Sequence, residues 1–425
     1  MAQYDTKKGK LLNSNDTLYE VVMVSNQQTA LDGGIGGVSI DAFGRQRVAE
    51  PFTLFDSFTR YDDNQKFWNV QTGGASGALG SDGASIDMTV DGNSGEYYWR
   101  ETKRVFAYQP GKSLQTMNTF VMNEGKTNLR QRVGYFGTDN GIFLELDGTN
   151  LYFVKRAYGE DTRVPQSAWN VDKADGTGQS LFDIDITKAQ IFWTDIEWLG
   201  VGSVRVGFVY NGVFVHCHTF HHANSTIAPY MATACLPVRL EIENTGVTGS
   251  SSTLKQICST VISEGGYTLS GTVRSIGRDG NSPRELTVEN TFYPVLAIRL
   301  KDDRRDAIVI PSGLNAAPIA GNNSIVNWRV YKNVTVTGGS WLSAGTYSSV
   351  SYNADPTSFT GGDLIGQGYI VATNQSAGSV QLSSNDIFAY QLQRNYDSSE
   401  TLLIAASSTV AGDDILAAIN WEEVT

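Results

Sequence analysis

The most regular alternation of apolar and polar residues along the chain lies in residues 191–224 and predicts three consecutive β-strands. Residues 192–198 and 204–210 alternate with a period of two, and Asn211-Gly212 supplies the positive-φ pair that a two-residue hairpin requires. Residues 213–218 continue the pattern on the return strand. Because both faces are apolar for much of this length, we expect an antiparallel meander inside a β-sandwich and not at a solvent-exposed sheet edge.

Turn-forming residues recur at short intervals from residue 55 to residue 264, and no amphipathic helical stretch separates them. The clearest hairpin spans residues 141–156 and turns at residues 147–150. Short strands separated in this way predict a single jelly-roll β-sandwich domain over residues 55–264.

The C-terminal part, residues 265–425, is richer in small polar residues and contains further strand-like runs. These runs predict a second, smaller antiparallel β-sandwich. A charged turn at residues 301–306 joins two of them, and residues 412–419 fit either a short helix or a last strand. We therefore expect an all-β chain with an N-terminal extended arm, a jelly-roll sandwich and a C-terminal β-sandwich.

The N-terminal segment, residues 1–54, has the composition of an arm and not of a domain. Its glycine-rich stretch at residues 31–37 needs a neighbouring surface to order it. Two interpretations have equal weight, an arm that docks on a partner and a plain entrance into the next domain. For a docking arm, the candidate contact residues are Ile40, Phe43, Arg45, Arg47, Phe52 and Phe55.

Composition agrees with the all-β prediction. The 425 residues include 44 glycines, 8 tryptophans, 19 tyrosines and 18 phenylalanines, and only 18% are charged. This mixture is typical of short twisted strands and their turns. The three cysteines are widely spaced, which indicates no disulfide framework and favours folding in a cytoplasm.

Charge and hydropathy argue against two classes of partner. The net charge of −12 and the sequence pI of about 4.9 mean that most of the surface repels a phosphate backbone, so we expect no nucleic acid partner. The sequence has no apolar run of about 18 residues and no apolar segment for secretion near its N-terminus, so we expect no membrane insertion.

All four histidines lie at the end of the third predicted strand: His216, His218, His221 and His222. On a regular strand His216 and His218 point the same way, so they could share a zinc ion with a third ligand from the following loop. No acidic residue beside them orients the rings, and a subunit contact that could respond to pH is the favoured interpretation. We therefore expect no metal site.

Two acidic features have a functional and a structural interpretation. Asp195 and Glu197 share one strand face and could form the carboxylate pair of a sandwich-fold glycosidase. Structural ion pairs with Arg205 or Arg239 are the favoured interpretation. Residues 172–178 resemble a calcium-binding loop only loosely, and we expect a turn there.

Aromatic residues near turns are candidates for stacking on a sugar ring, and core packing is the favoured alternative for each of them. These candidates are Tyr97, Tyr98, Trp99 and Trp169. The sequence contains no phosphate-binding glycine loop, nucleophile elbow or paired-cysteine motif, and no convincing serine-histidine-acid arrangement. We therefore expect no enzyme activity and no cofactor.

Two segments carry a family resemblance: VSIDAFGRQRVAEPFTLFDS at residues 38–57, and WNVDKADGTGQSLFDIDITKAQIFWTDIEWLGVGSVRVGFV at residues 169–209. They resemble sequences in virion structural proteins of tailed bacteriophages, especially those of marine and cyanobacterial hosts, whose central domain is similar to concanavalin-type jelly rolls. The resemblance implies a non-enzymatic component of a fibre, of a tail or baseplate, or of the head surface. It identifies no catalytic residue.

We therefore expect a structural protein of a bacteriophage particle that is assembled in the host cytoplasm and resides in the virion. Its expected partners are other virion proteins and further copies of itself, with a trimer as the working guess, and a host-surface glycan is a further candidate. A carbohydrate-binding lectin is the alternative function. A jelly-roll glycoside hydrolase is a third hypothesis, with Glu197 as its candidate carboxylate.

Overall fold

The computed structural model of the chain describes residues 3–5, 10–12, 18–20, 50–267, 271–319, 322–373, 380–382, 390–394 and 398–424. In these residues the structure consists of β-strands, and the helical content is one short 3-10 turn at Gln166–Ala168. The prediction of an all-β fold is confirmed. Among the same residues, no helix has the length and apolar character needed to cross a membrane.

The first β-sandwich contains an eight-stranded antiparallel sheet. Its strands are β4 (Phe52–Phe58), β6 (Ser76–Leu79), β7 (Ile86–Val90), β10 (Ser113–Val121), β15 (Gln190–Ile196), β16 (Val204–Tyr210), β17 (Val213–Phe220) and β20 (Ser252–Glu264). They follow the order β17-β16-β15-β10-β20-β7-β6, and β4 also pairs with β20.

The second sheet of this sandwich has seven antiparallel strands. They are β5 (Phe67–Thr72), β8 (Tyr97–Thr102), β11 (Leu129–Phe136), β12 (Gly141–Asp147), β13 (Asn150–Ala157), β14 (Glu160–Pro165) and β19 (Val238–Asn244). Their order is β14-β13-β12-β11-β19-β8-β5, and a two-stranded ribbon of β9 (Phe106–Ala107) and β18 (Cys235–Leu236) lies beside them. This arrangement of two packed antiparallel sheets is a jelly-roll sandwich, as expected from the sequence.

The two sheets enclose one apolar core, because each strand turns every second side chain inwards. On β11, Val133 and Tyr135 are fully buried in this core. Between the sheets, the ring of Phe153 on β13 lies 5.8 Å from that of Phe192 on β15. The alternation that predicted strands in the sequence is therefore the alternation that builds the core.

The meander over residues 191–224 forms as predicted by β15, β16 and β17. Asn211 and Gly212 have φ values of 49° and 78° and connect β16 to β17, so the hairpin turn is confirmed. β17 is the last strand of its sheet, and its residues 215–220 are buried. The loop between β14 and β15 bonds to its outer edge, since the backbone N–H groups of Val171 and Asp172 both donate to the Cys217 carbonyl at 3.1 Å.

The C-terminal part is a second β-sandwich. One sheet contains β21 (Thr272–Gly277), β22 (Arg284–Leu286), β24 (Ile308–Pro318), β29 (Val380–Leu382) and β31 (Asp413–Val424). The other contains β23 (Tyr293–Leu300), β25 (Ser324–Thr337), β26 (Leu342–Ser343), β27 (Val350–Asn353), β28 (Ser358–Ala372) and β30 (Leu402–Ser408), in the order β26-β27-β23-β30-β25-β28.

The sequence left a helix and a strand open for residues 412–419, and residues 413–419 belong to strand β31. Every second residue of β31 is buried, and Ile415, Ile419 and Trp421 are fully enclosed in the core of this sandwich. A period of two over the whole strand suits a sheet that is buried on one face. The burial pattern therefore identifies these residues as a strand and not as a helix.

In the N-terminal segment, the structure describes three short strands that form one antiparallel sheet: β1 (Gln3–Asp5), β2 (Lys10–Leu12) and β3 (Leu18–Glu20). Of the candidate docking residues, Ile40, Phe43, Arg45 and Arg47 lie outside the described residues. The docking function of this segment therefore stays a prediction.

Candidate functional site

The seven-stranded sheet carries charged and aromatic side chains on the face turned away from the core. The segments LRQRVGYF, GIFLELD and VRLEIEN alternate apolar residues with charged ones along β11, β12 and β19. Val133, Leu144 and Leu240 point into the core, so their neighbours Arg132 and Glu145 point to the opposite side. We call this side of the sheet the outer face.

Strand register aligns five of these outward side chains in one row. Arg132 on β11 lies opposite Glu145 on β12 and Glu241 on β19. Glu145 in turn lies opposite Tyr152, and Glu241 lies opposite Trp99. The row therefore begins and ends with an aromatic ring and alternates acid, base and acid between them. We call it the central row.

The charged groups of the central row are bonded directly to one another. The Arg132 guanidinium donates from Nε to Glu145 Oε2 at 2.6 Å and from Nη1 to Glu241 Oε2 at 3.1 Å. Glu145 accepts a further bond from Arg163 Nε at 2.6 Å, and Glu241 also pairs with Arg239. Glu145 is fully buried, and Arg132 is only 6% exposed. Each buried carboxylate is therefore held between two guanidinium groups, which offsets the cost of burying its charge.

The ion pairs continue beyond the central row. Arg156 binds both oxygens of Asp161, at 2.7 and 3.0 Å. At the other end, Arg239 donates to Glu101 at 3.1 Å, and Arg394 from the C-terminal sandwich pairs with the same carboxylate. Each arginine of the network is paired with at least one carboxylate, and these arginines are Arg130, Arg132, Arg156, Arg163, Arg239 and Arg394.

The pKa values of the acids in the network shift in both directions: burial raises that of Glu101, whereas those of Glu241 and Asp161 are lowered. Burial raises the pKa of Glu241, but the charges of Arg239 and Arg132 outweigh burial, so the pKa lies below its ordinary value. Burial also raises the pKa of Asp161, and the bonds from Arg156 reverse the shift in the same way. A general acid needs the opposite shift, because it must hold its proton near neutral pH. These two carboxylates are suited to hydrogen-bond acceptance and not to proton donation.

Aromatic rings complete the outer face. Tyr97 and Trp99 are half-buried and stack on each other with ring centroids 4.5 Å apart. The Arg239 guanidinium lies over the Trp99 ring at 4.4 Å, and that of Arg156 lies over the Phe143 ring at 5.0 Å. Aromatic rings and guanidinium groups therefore stack on one another on the outer face.

The structure separates the aromatic residues that the sequence analysis grouped together. Tyr97 and Trp99 lie on the outer face, while Tyr98 points inwards and is 3% exposed. Trp169 is also 3% exposed, and its ring stacks on Phe153 at 3.9 Å in the core. The suggestion that Tyr98 and Trp169 contact a ligand is therefore corrected, because neither side chain reaches the surface.

The histidines do not converge, because a β-bulge interrupts β17. In the register, His218 lies opposite Val206 and His216 lies opposite Gly207, so Cys217 is an extra residue between them. His218 consequently faces the core, 6.4 Å from the Phe153 ring, whereas His216 contacts Trp193 on the other face of the sheet. The expectation that His216 and His218 point the same way is wrong.

Each histidine instead has a local partner. His216 Nε2 is 2.8 Å from the Thr219 hydroxyl, His218 Nδ1 accepts the Asn170 N–H at 3.2 Å, and His222 Nδ1 lies 2.7 Å from the Gly202 carbonyl. His221 is exposed and bonds to Ser203 at 3.2 Å.

Burial lowers the pKa of His216, His218 and His222 to about 4. These three histidines therefore stay neutral at physiological pH, and their role in a subunit contact stays a prediction. In the part of the chain that the structure describes, no group of histidine, cysteine and acidic residues is arranged to hold a metal ion.

The acidic candidates have structural roles. Asp195 is fully buried, accepts a bond from the Ser113 hydroxyl at 2.7 Å and pairs with Arg205, one of the two arginines named in the sequence analysis. In the loop after the 3-10 turn, Asp172 accepts backbone bonds from Ala174 at 2.8 Å and Ser180 at 2.9 Å, which closes a turn as expected.

The two described docking candidates belong to β4. Phe55 is 6% exposed and packs in the core, with its ring 5.1 Å from that of Phe106. Its assignment as a docking residue is therefore corrected. Phe52 is 49% exposed and its ring lies 6.1 Å from that of Tyr267.

The ion-pair network is the feature that the sequence analysis missed. Its signal was present, since charged residues alternate with apolar ones along VRLEIEN of β19, and Arg130 and Arg132 occupy two alternate positions of β11. Such a pattern normally describes a solvated sheet face, and only the pairing of distant strands shows that the charges are buried together.

A scan against protein-family models and a search of curated proteins found no match. Solved structures similar to the chain include the carbohydrate recognition domain of Emp47p, with 11% identity, 48% of this chain and 93% of that chain covered, and a TM-score of 0.30. They also include arcelin-5, a lectin-like defense protein of Phaseolus vulgaris, with 10% identity, 51% and 99% coverage, and a TM-score of 0.31.

A third similar structure is a family GH16 protein for mixed-linkage glucan from Bacteroides ovatus, with 10% identity, 49% and 99% coverage, and a TM-score of 0.33. Each likeness covers about half of this chain.

Proposed function

We propose that the chain is a lectin-like carbohydrate-binding protein and that the outer face of the seven-stranded sheet is its binding face. The observation that carries the proposal is the stacked, half-buried pair Tyr97–Trp99 beside a row of fixed guanidinium and carboxylate groups. This places a partly exposed aromatic pair beside polar groups of defined orientation that are themselves buried.

The chemistry of a sugar matches this surface. One side of a pyranose ring carries C–H groups and packs on an aromatic ring, while its hydroxyl groups form hydrogen bonds at the edge of the ring. The polar groups of the outer face are already held by one another, so a ligand does not have to order them. Because the arginines are paired with carboxylates, the face favours a neutral polar ligand over a charged one.

We infer binding without hydrolysis. A glycosidase needs a carboxylic acid whose pKa is raised, together with a second carboxylate at a defined distance. The lowered pKa values of Glu241 and Asp161 support the opposite use of these two acids, as hydrogen-bond acceptors. Burial raises the pKa of Glu101, but both oxygens of this carboxylate are held in ion pairs, with Arg239 and with Arg394. Glu197 is the carboxylate that the sequence analysis named for a hydrolase. It follows β15 of the eight-stranded sheet and is fully buried.

Residence in a bacteriophage particle stays a prediction from the sequence resemblance. The two hypotheses are compatible, because a glycan-binding face on a virion component would serve attachment to a host surface. The carbohydrate-binding proposal does not depend on the virion hypothesis, since it rests on the outer face alone.

A glycan array followed by titration calorimetry on the best ligand tests the proposal. We expect Trp99→Ala to weaken binding by about tenfold, which corresponds to the roughly 1.5 kcal/mol that a well-placed aromatic contact contributes. Tyr347→Ala is the matched control, because Tyr347 is 80% exposed and lies in the C-terminal sandwich. Absence of any glycan ligand, or equal affinity of Trp99→Ala and the wild type, would overturn the proposal.

A further inference from the structure

A cavity of about 830 Å³ lies where the two sandwiches meet. The jelly roll lines one side of it with residues 107–110 and 232–235, and the C-terminal sandwich lines the other with Arg304 and Asp306 of its charged turn. The two sides touch directly, since the Cys235 thiol donates to the Asp306 carbonyl at 3.1 Å. The volume lies within the roughly 300–1,000 Å³ of typical ligand pockets, which are frequent at domain interfaces.

Aromatic rings form part of the cavity wall. Tyr108 and Trp198 of the jelly roll meet edge to face, with ring centroids 6.4 Å apart. Tyr267, in the linker between the two sandwiches, supplies a third ring. Trp198 and Tyr267 are half-buried, so part of each side chain is accessible. Because aromatic rings pack well against other rings, this wall favours a ligand with an apolar ring.

Two half-buried cations also line the cavity, Lys112 and Arg304. Lys112 Nζ donates to the side-chain oxygen of Gln109 at 3.0 Å. Arg304 Nη1 donates to the carbonyl groups of Tyr347 and Ser348 at 3.3 and 3.4 Å. These acceptors are all neutral, and within the described part of the chain neither cation forms an ion pair with a carboxylate. The arginines of the outer-face network differ, because each of them has a carboxylate partner.

The contacts between the two sandwiches hold these cations on one cavity. Lys112 belongs to the jelly roll and Arg304 to the C-terminal sandwich, so their common site depends on how the sandwiches are joined. Besides the thiol contact, Arg104 donates to the side chain of Gln391 at 3.1 Å, and the Arg394 N–H donates to the Lys103 carbonyl at 3.1 Å. A ligand therefore meets cations that the fold has already placed.

We propose that this cavity binds a small carboxylate that carries an apolar ring, with its ring against the aromatic wall and its carboxylate directed to Lys112 and Arg304. Asp306 is the acidic residue of the lining, which therefore has an excess of one positive charge on a chain whose net charge is −12. Ammonium and guanidinium groups form their strongest hydrogen bonds with ionised oxygens, so a carboxylate suits them better than a hydroxyl group. The inference is independent of the carbohydrate-binding proposal, because the outer face favours a neutral ligand.

Titration of the full chain with three probes, followed by ligand-observed NMR, tests the proposal. Benzoate has both the carboxylate and the ring, benzyl alcohol lacks the charge, and acetate lacks the ring. We expect benzoate to bind at least about tenfold more tightly than either of the other probes, because it alone contacts the cations and the aromatic wall together.

Two variants locate the site. Lys112→Met removes the charge and keeps an apolar side chain, so we expect the affinity for benzoate to fall about tenfold. Lys126→Met is the matched control and should bind benzoate like the wild type: Lys126 is also half-buried and donates to a neutral oxygen, the Ser250 carbonyl at 2.9 Å, but it does not line the cavity. Ala232→Trp fills the cavity from an exposed position, so this variant is expected to fold and to lose benzoate binding.

Absence of saturable benzoate binding would overturn the proposal. Equal affinities for benzoate and either of the other probes would also overturn it, because the cations or the aromatic wall would then contribute nothing. So would equal benzoate affinities of Lys112→Met and Lys126→Met, or unchanged binding in Ala232→Trp, since the site would then lie elsewhere. Scanning calorimetry checks the fold of each variant. Glycan binding is measured separately with Trp99→Ala, so failure of one proposal is distinguishable from failure of the other.

Discussion

Arg132 is the central cation of the outer face, and the substitution Arg132→Met removes its charge while keeping much of its side-chain volume. The guanidinium bonds to Glu145 at 2.6 Å and to Glu241 at 3.1 Å, and it lies 3.5 Å from Asp161. Removing one partner of a buried ion pair costs about 3–5 kcal/mol, because the remaining charge is uncompensated.

The geometry places the expected cost at the lower end of that range. Glu145 keeps its bond to Arg163, and Glu241 keeps its pairing with Arg239, so neither carboxylate loses all of its compensation. We therefore expect Arg132→Met to destabilise the jelly roll by about 3 kcal/mol. For a domain of this size, that loss lowers the melting temperature by roughly 6–12 °C.

Arg130→Met is the matched control. Arg130 is two residues away on the same strand and face and pairs with Glu243 at 2.6 Å, but the two side chains are 23% and 25% exposed. A partly solvated pair of this kind contributes at most about 1 kcal/mol. Scanning calorimetry of the full chain measures the jelly-roll transition in both variants. Equal shifts for Arg132→Met and Arg130→Met would refute the claim that burial of the network sets its contribution.

Two further predictions follow from burial and from backbone contact. Burial lowers the pKa of His216, His218 and His222 to about 4, so the unfolded chain takes up protons between about pH 6.5 and 4 that the folded chain does not. Their contribution to stability is therefore present above about pH 6.5 and falls with acidification, by up to roughly 2 kcal/mol at pH 5 for His216 and by less for the more solvent-screened His218 and His222; urea titrations at pH 7 and pH 5 measure the loss, and an unchanged midpoint would contradict it. Gly134→Ala places a methyl group 2.5 Å from the Ile142 carbonyl oxygen and 2.6 Å from Phe143 Cα, and we expect a loss of about 1–3 kcal/mol in thermal unfolding. In Gly280→Ala the added methyl group meets nothing within 4 Å, so this variant should melt like the wild type. Equal melting temperatures of Gly134→Ala and Gly280→Ala would contradict the prediction, because the backbones of β11 and β12 would then move apart without a cost in stability.

Local sequence determined the strands and their turns. Alternation with a period of two requires only neighbouring residues, and the Asn211-Gly212 pair fixes a hairpin through its own backbone preference. For the same reason, residues 213–218 were recognised as the return strand. The β-bulge at Cys217 was not, because the extra residue is defined by pairing with Val206 and Gly207 on the neighbouring strand.

The candidate site depends on pairing between distant strands, and only the tertiary structure decided it. Arg132 and Glu145 are 13 residues apart and meet across a hairpin, but Arg132 and Glu241 are 109 residues apart. Each charged residue on its own fits a solvated strand face. Their burial and mutual compensation arise when β11 is placed between β12 and β19, and the order of strands in a sheet is set by packing of the whole core and not by any local pattern.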